Sequence, residues 1–431
     1  MSHRARQLQV SSLARVEGEG ALHIKVRDGE VERAELRIYE PPRFFEALLR
    51  GRRYTEPPDI TARICGICPV AYQTSACTAI EDACGVRIGG PIGDLRRLLY
   101  CGEWISSHTL HIYLLHAPDF LGYPDAVALA TAHRDLVERG LALKKAGNAI
   151  LELVGGRAIH PVNVRVGGFY SAPGRDQLDR LAAQLRPALD AAIATVRWVA
   201  GFDFPQLELD HEFLAVHHPA RYAIEGGTTL RRSAGPAFSV DAFGNHVVEE
   251  QVKHSTALHA RLDGRPYLTG PLARYTLNHE HLSPLARELA AEAGLGDECR
   301  NPFRSIVVRA VETVYAVEEA LRLIDEYEPP EPPHEVVPAR DGVGHGVSEA
   351  PRGLLYHRYG IGADGLVRSA TIVPPTSQNQ AAIEDDLRRL VAANLDLADE
   401  PLTGLCERAI RNYDPCISCS THFLELTMER Q

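Results

Sequence analysis

No stretch of eighteen apolar residues occurs in the 431-residue sequence, and no apolar run follows Met1-Ser2-His3-Arg4. Neither a membrane-spanning helix nor a secretory leader is therefore expected. Blocks of Lys and Arg are also missing, and the formal net charge is -11, so nucleic acid and anionic membranes have no electrostatic footing as partners. The nine cysteines are an odd number and form no disulfide framework. In a large chain without a leader they point to a reducing compartment, the cytoplasm, and to thiolates that bind metal. Internal repeats and low-complexity tracts are absent. What remains is a globular composition, 45% hydrophobic and 24% charged, in a chain long enough to bury a large core.

Leu22, Ile24 and Val26 alternate with polar residues, as do Ala34, Leu36 and Ile38, with the turn former Asp28-Gly29 between them. This pattern predicts a β-hairpin. From about residue 93 the period becomes helical, with a long run over 125–154 stopped by Gly155-Gly156. Leu178, Leu181, Leu185 and Leu189 predict a further helix kinked at Pro187, and the stripe from Val307 to Ile324 another. Such stripes are read as core. The five prolines between Glu326 and Arg340 suggest an interdomain linker, but a centre shared by both ends of the chain makes a surface excursion the better reading.

That shared centre is the main chemical signal. One Cys-x-x-Cys lies in Arg63-Ile64-Cys65-Gly66-Ile67-Cys68, and a second in Asp414-Pro415-Cys416-Ile417-Ser418-Cys419-Ser420-Thr421-His422. Two such pairs can complete a tetrathiolate cage for a soft or borderline metal. Spacing alone leaves structural zinc, an iron–sulfur cluster, unrelated buried thiols and rarer centres open. Zinc knuckles usually keep both pairs close in sequence, whereas here 348 positions separate Cys68 from Cys416 (416 minus 68). Arg63, Asp414 and His422 also crowd the motifs, as the surroundings of a tuned catalytic metal would. The five other cysteines, Cys77, Cys84, Cys101, Cys299 and Cys406, are isolated and read as small buried hydrophobes.

From about Leu13 to His422 these motifs resemble the large subunit of nickel–iron hydrogenases, especially the cytosolic NAD(P)-linked, sulfhydrogenase-like branch. The resemblance implies a mostly helical α+β fold, with a small β portion, a central helical bundle and the metal site between the N- and C-terminal segments of a single domain over 1–422. It implies that Cys65, Cys68, Cys416 and Cys419 hold nickel, with Cys68 and Cys419 bridging to an iron that carries carbonyl and cyanide ligands. Arg15-Val16-Glu17-Gly18 is similar to a family motif whose Glu takes a proton from the terminal thiolate, here Cys416; such a relay suits heterolytic cleavage of H2. Arg43-Phe44-Phe45-Glu46 resembles the motif whose Glu binds magnesium or a similar ion, with His422 and the Thr371 carbonyl as further ligands. Glu349-Ala350-Pro351-Arg352-Gly353 is similar to the stretch whose Arg lies over the metals as a fixed positive charge. Pro351, Val373, Pro374 and Thr376 would line the cyanides, Asp119 and Asp414 would orient Arg352, and His160 would sit near the iron side.

Two departures stand out. Tyr72 replaces a His found four residues after the second Cys in many relatives, and Val373-Pro374-Pro375-Thr376 replaces Val-Pro-[Ser/Thr], so that Thr376 would reach the site only if its loop shifts. The resemblance further implies a small iron–sulfur subunit, flavin-containing NAD(P) diaphorase subunits and a maturation endopeptidase that removes 423–431. The competing expectations are a non-catalytic relative of the respiratory complex I kind and a structural zinc protein.

Overall fold

The computed structural model describes residues 5–208 and 210–421; the predicted ligand His422 and the predicted propeptide 423–431 lie outside the described residues. The chain begins with an antiparallel sheet of Ala5–Val10, Gly20–Arg27 and Glu30–Ile38. Asp28 and Gly29 both have positive φ between the paired Arg27 and Glu30, the two-residue turn that matches strand twist. Leu22, Ile24, Val26, Ala34, Leu36 and Ile38 are all buried, as the alternation predicts. Each large apolar side chain buried in this way contributes roughly 1.5–3 kcal/mol.

Helices Gly90–Leu110, Arg134–Gly155, Arg175–Ala200 and Ser305–Asp325 pack against one another as the central bundle. Ser305–Asp325 is buried on nearly every face, which is why its apolar residues exceed a single stripe. Arg134–Gly155 stops at Gly156, in the left-handed conformation the sequence signal calls for. The predicted run over 125–154 is in fact two helices, Ala126–Ala132 and Arg134–Gly155, divided at His133. Arg175–Ala200 is one continuous helix with Pro187, the position of the expected kink, inside it; the proline is exposed, so the carbonyl it leaves without a donor faces water. After Leu110 the bundle helix widens into a π-helical stretch, His111–His116, before the short helix Ala117–Leu121.

A second sheet, Gly342–Ala350, Gly353–Ile361 and Val367–Val373, lies against helix Pro69–Ala83. Glycines permit that approach: a Cβ on Gly344 would sit 2.1 Å from the Ala79 carbonyl oxygen. Gly360-Ile361-Gly362-Ala363-Asp364-Gly365 has the spacing of a dinucleotide-binding fingerprint, yet it forms the turn between two antiparallel strands and opens no helix. The proline-rich 326–340 segment runs as a strap over Gly167–Phe169, with Glu335 N donating to Gly167 O at 2.9 Å and Phe169 N to Pro333 O at 3.0 Å. One buried apolar cluster takes in Leu8 and Leu22 near the start of the chain and Cys416 and Cys419 near its other end. Helices predominate over the small sheets, an α+β architecture, and no helix among the described residues is long and apolar enough to cross a membrane.

Candidate active site

The two Cys pairs meet. Cys65 Sγ lies 3.4 Å from Cys416 Sγ, and Cys68 Sγ lies 3.7 Å from Cys419 Sγ. All four are buried, with their sulfurs within 4.8 Å of one another. Pro69 starts a helix directly after Cys68, where a missing N–H costs nothing, and Cys416 precedes the short helix Ile417–Ser420. Each Cys-x-x-Cys therefore wraps the entrance of a helix and turns both sulfurs inward. Hydrogen bonds from Cys416 and the other thiols hold Cys65 well below the ordinary thiol range, whereas burial pushes Cys416 and Cys419 up. Four thiolates this close require a cation among them.

Glu17 is held at the cage by backbone as well as side chain. It forms a parallel bridge with Cys416, and its carbonyl accepts from Ile417 N at 3.0 Å. Its Oε2 accepts from Cys416 Sγ and from Ser418 N, each at 3.1 Å. Gly18 makes this possible: φ is +88°, and a Cβ there would fall 2.7 Å from Ile417 Cβ. Ser418 Oγ donates onward to Glu40 Oε2 at 3.1 Å. Polar groups thus continue outward from the thiol.

Arg352 lies buried across the cage. Its Nε donates to the Asp414 carbonyl at 2.7 Å and its Nη2 to Asp414 Oδ1 at 3.1 Å. Burial works against its charge, but Asp414 and the neighbouring sulfurs overcompensate and keep it protonated. Arg352 Nη1 and Asp414 Oδ2 are buried without a protein partner, so a donor and an acceptor remain available for a polar group inside the pocket. Asp119 does not orient Arg352 as expected. It pairs instead with Arg15 and with Arg411 Nε at 2.7 Å, from the short helix Ala117–Leu121. Of the two predicted acids, only Asp414 touches the guanidinium.

Other expected residues fall as follows. Pro375 is the first residue of helix Pro375–Ala392, which puts Thr376 in the site without a loop shift; its Oγ1 accepts from Cys416 N at 3.0 Å. Val373 O accepts from Gln378 Nε2 at 3.2 Å, and Pro374 O from Ser377 Oγ at 3.0 Å, so both line the approach to that helix. Tyr72 is fully buried; burial first, then Cys419 and Cys68, raise its phenol well above the usual range and keep it a donor. Glu46 Oε1 accepts from Ile372 N at 2.7 Å, next to Thr371, and burial lifts its carboxyl to about 7. Beside it, burial lifts Glu249 to about 8. Arg43 fixes the turn that leads to His422, with its N donating to Thr421 O at 2.7 Å and its guanidinium to Ser418 O and Ile64 O. Arg63 is exposed and takes no part in the cage, a correction to its expected place there. His160 Nδ1 lies 2.7 Å from Ala62 O, beside the first Cys turn.

Sequence reasoning missed the network that supports Arg352. Arg274 donates to Glu312 through Nε at 2.9 Å and Nη2 at 2.8 Å, and to Glu349, Ala350 O and Pro351 O at 3.2, 2.7 and 3.1 Å. Glu349 also accepts from Val216 N at 2.7 Å, and His108 Nε2 lies 2.9 Å from Glu312. Arg274→Met should therefore destabilise the protein by roughly 3–5 kcal/mol, since it strands buried carboxylates. Chemical denaturation would show it, and a loss below about 1 kcal/mol would contradict the supporting role.

A family model described as nickel-dependent hydrogenase matches residues 43–138 and 216–422, and the chain belongs to that family as a large subunit. Among curated relatives, sulfhydrogenase 1 subunit alpha of Pyrococcus furiosus is 35% identical over 423 residues, covering 97% of this chain and 98% of that one. Sulfhydrogenase 2 subunit alpha of the same organism is 34% identical over 425 residues, covering 97% and 100%. The crystal structure of an NAD+-reducing [NiFe]-hydrogenase in its H2-reduced state superposes with a TM-score of 0.86 at 26% identity, over 97% of this chain and 99% of that one. The four cage cysteines fit such a centre, being four soft donors with a buried cationic lid.

Proposed function

We propose that this subunit catalyses reversible oxidation of H2 to protons and electrons, and that the electrons leave through a small iron–sulfur subunit to flavin-containing NAD(P) subunits. The observation that carries the reading is the Cys416 Sγ–Glu17 Oε2 contact of 3.1 Å at the edge of a four-sulfur cage. A catalytic site needs a proton acceptor at one sulfur; a structural zinc cage does not. The NAD+-reducing hydrogenase structure supports the nucleotide acceptor, and the sulfhydrogenase relatives support the sulfhydrogenase-like branch.

Cys65, Cys68, Cys416 and Cys419 would hold a centre of nickel and of iron bearing carbonyl and cyanide. When bound, that centre supplies the site at which H2 is split unevenly. The chain's own groups do the rest. Cys416 receives the proton at Sγ, and Glu17 takes it from there at Oε2. Arg352 holds a positive charge over the pocket with Nη1 free to donate, and Asp414 fixes its orientation. Asp119 acts at one remove, by fixing Arg411 and Arg15 around the Cys416 segment. Thr376 ties down the Cys416 backbone and, with Val373, Pro374 and Pro351, lines the pocket. Glu46, the Thr371 carbonyl and His422 would hold magnesium or a similar ion, a reading supported by the two half-buried acids Glu46 and Glu249, which repel each other there.

The test is an infrared spectrum of the purified, matured complex, in which carbonyl and cyanide stretches are expected. Its intact mass should correspond to a chain ending at His422, residues 423–431 having been removed as a propeptide. A matured, nickel-containing sample without those stretches would overturn the hydrogenase chemistry.

A further inference from the structure

About two turns along helix Pro375–Ala392 from Thr376, three potential ligands converge that the H2 chemistry does not use: His254, His259 and Glu384. They come from three separate segments. Glu384 sits on that helix, His259 on strand Leu258–Leu262, and His254 in the loop entering that strand. Their donor atoms lie within 4.8 Å of one another, with His254 Nε2 only 2.7 Å from Glu384 Oε1. The His254 and His259 rings meet edge to face at 5.6 Å. A fourth segment joins through backbone, since Leu36 N of the N-terminal sheet donates to Glu384 Oε1 at 2.9 Å.

His259 is 2% exposed, and its Nε2 has no hydrogen-bond partner. An imidazole nitrogen left unsatisfied in a packed wall costs about 1–3 kcal/mol, which a ligand would recover. The wall borders a cavity of about 250 Å³ lined also by Arg261, Pro266 and Arg388, with room for a water or a further ligand in an open position. Each arginine has a carboxylate partner that offsets part of its charge, Arg261 with Glu250 at 2.5 Å and Arg388 with Asp385 at 3.2 Å.

We infer that His254, His259 and Glu384 form a second metal site, for Zn2+ or a similar borderline divalent ion, separate from the cysteine cage. Two imidazoles and a carboxylate with an open fourth position is a ligand set that zinc accepts. Ligand atoms around a tetrahedral zinc lie about 3.4 Å apart, so rotation of the His259 ring closes what gap remains. Binding displaces the proton shared by His254 and Glu384, and the ion ties the 254–259 segment to the helix that carries Thr376. Burial favours the neutral, ligating form of His259.

The test uses the matured complex, whose cage is already filled, equilibrated with Zn2+ alone and analysed for nickel, iron and zinc together. About one zinc per chain beyond the nickel and iron is expected. It should bind at least tenfold more weakly in His259→Gln and in the partly exposed His254→Gln, with nickel content and H2 turnover unchanged. X-ray absorption at the zinc edge should show nitrogen and oxygen neighbours only. Zinc that stays tight in both variants, zinc with sulfur neighbours, or no bound zinc would each overturn the site. None of these outcomes bears on the nickel reading, which the same metal analysis reports separately.

Discussion

Glu17→Gln is expected to lower H2 turnover by about 100-fold or more while leaving nickel and iron at wild-type content, since a positioned proton acceptor is worth roughly 10²–10⁴ in rate. The substitution is nearly isosteric. The amide oxygen it introduces can still accept from Ser418 N, which lies 3.1 Å from Glu17 Oε2 in the native chain, and the backbone bridge to Cys416 does not involve the side chain. What disappears is only the capacity to take a proton from Cys416 Sγ. Steady-state H2 oxidation, metal analysis and the infrared spectrum of one preparation separate the outcomes. Turnover within about threefold of wild type would remove Glu17 from the proton route. Lost turnover together with lost metal would mean that the residue is structural.

Arg352→Lys is expected to cost roughly 10²–10³ in turnover, the effect of removing one preorganised donor aimed at developing charge. Lysine keeps the positive charge but not the fork. The native guanidinium reaches the Asp414 carbonyl and carboxylate with two nitrogens and still offers Nη1 to the pocket. A single ammonium on a flexible stem cannot satisfy Asp414 and donate inward in the same geometry. Nickel content should be unchanged, because the sulfurs do not depend on the guanidinium for their positions. Unaltered turnover in a fully metallated Arg352→Lys would show that charge alone suffices and that the orphaned donor is incidental.

The features legible in the sequence are those encoded in short contiguous strings. Cys65 and Cys68, Cys416 and Cys419, Arg15 to Gly18 and Glu349 to Gly353 each carry their own turn chemistry, so neighbours in sequence become neighbours at the site. Arg63 shows the limit of that logic: two residues from Cys65, it is exposed while Cys65 is buried. Asp119 shows another, since its partners Arg15 and Arg411 come from segments far from it along the chain. Arg274, Glu312, Glu349, His108 and Val216 are single residues scattered over the chain. Their union comes from the packing of separate segments, and no spacing rule connects them. Periodicity found the bundle helices but not the division at His133, where only one residue interrupts an otherwise helical pattern.

The distance along the chain between the two halves of the cage also sets a clock. Cys68 is followed by 348 further positions up to Cys416, and a ribosome adding about 5–20 residues per second needs roughly 20–70 s to make them. Throughout that interval Cys65 and Cys68 are a pair of thiols without their partners, and Glu17 has no strand to bridge. Any metal that reached them then would find half of its ligands. The nascent chain therefore offers an incomplete cage as it emerges, and the full set of four sulfurs exists only once the polypeptide has been made through Cys419 and its two ends have met.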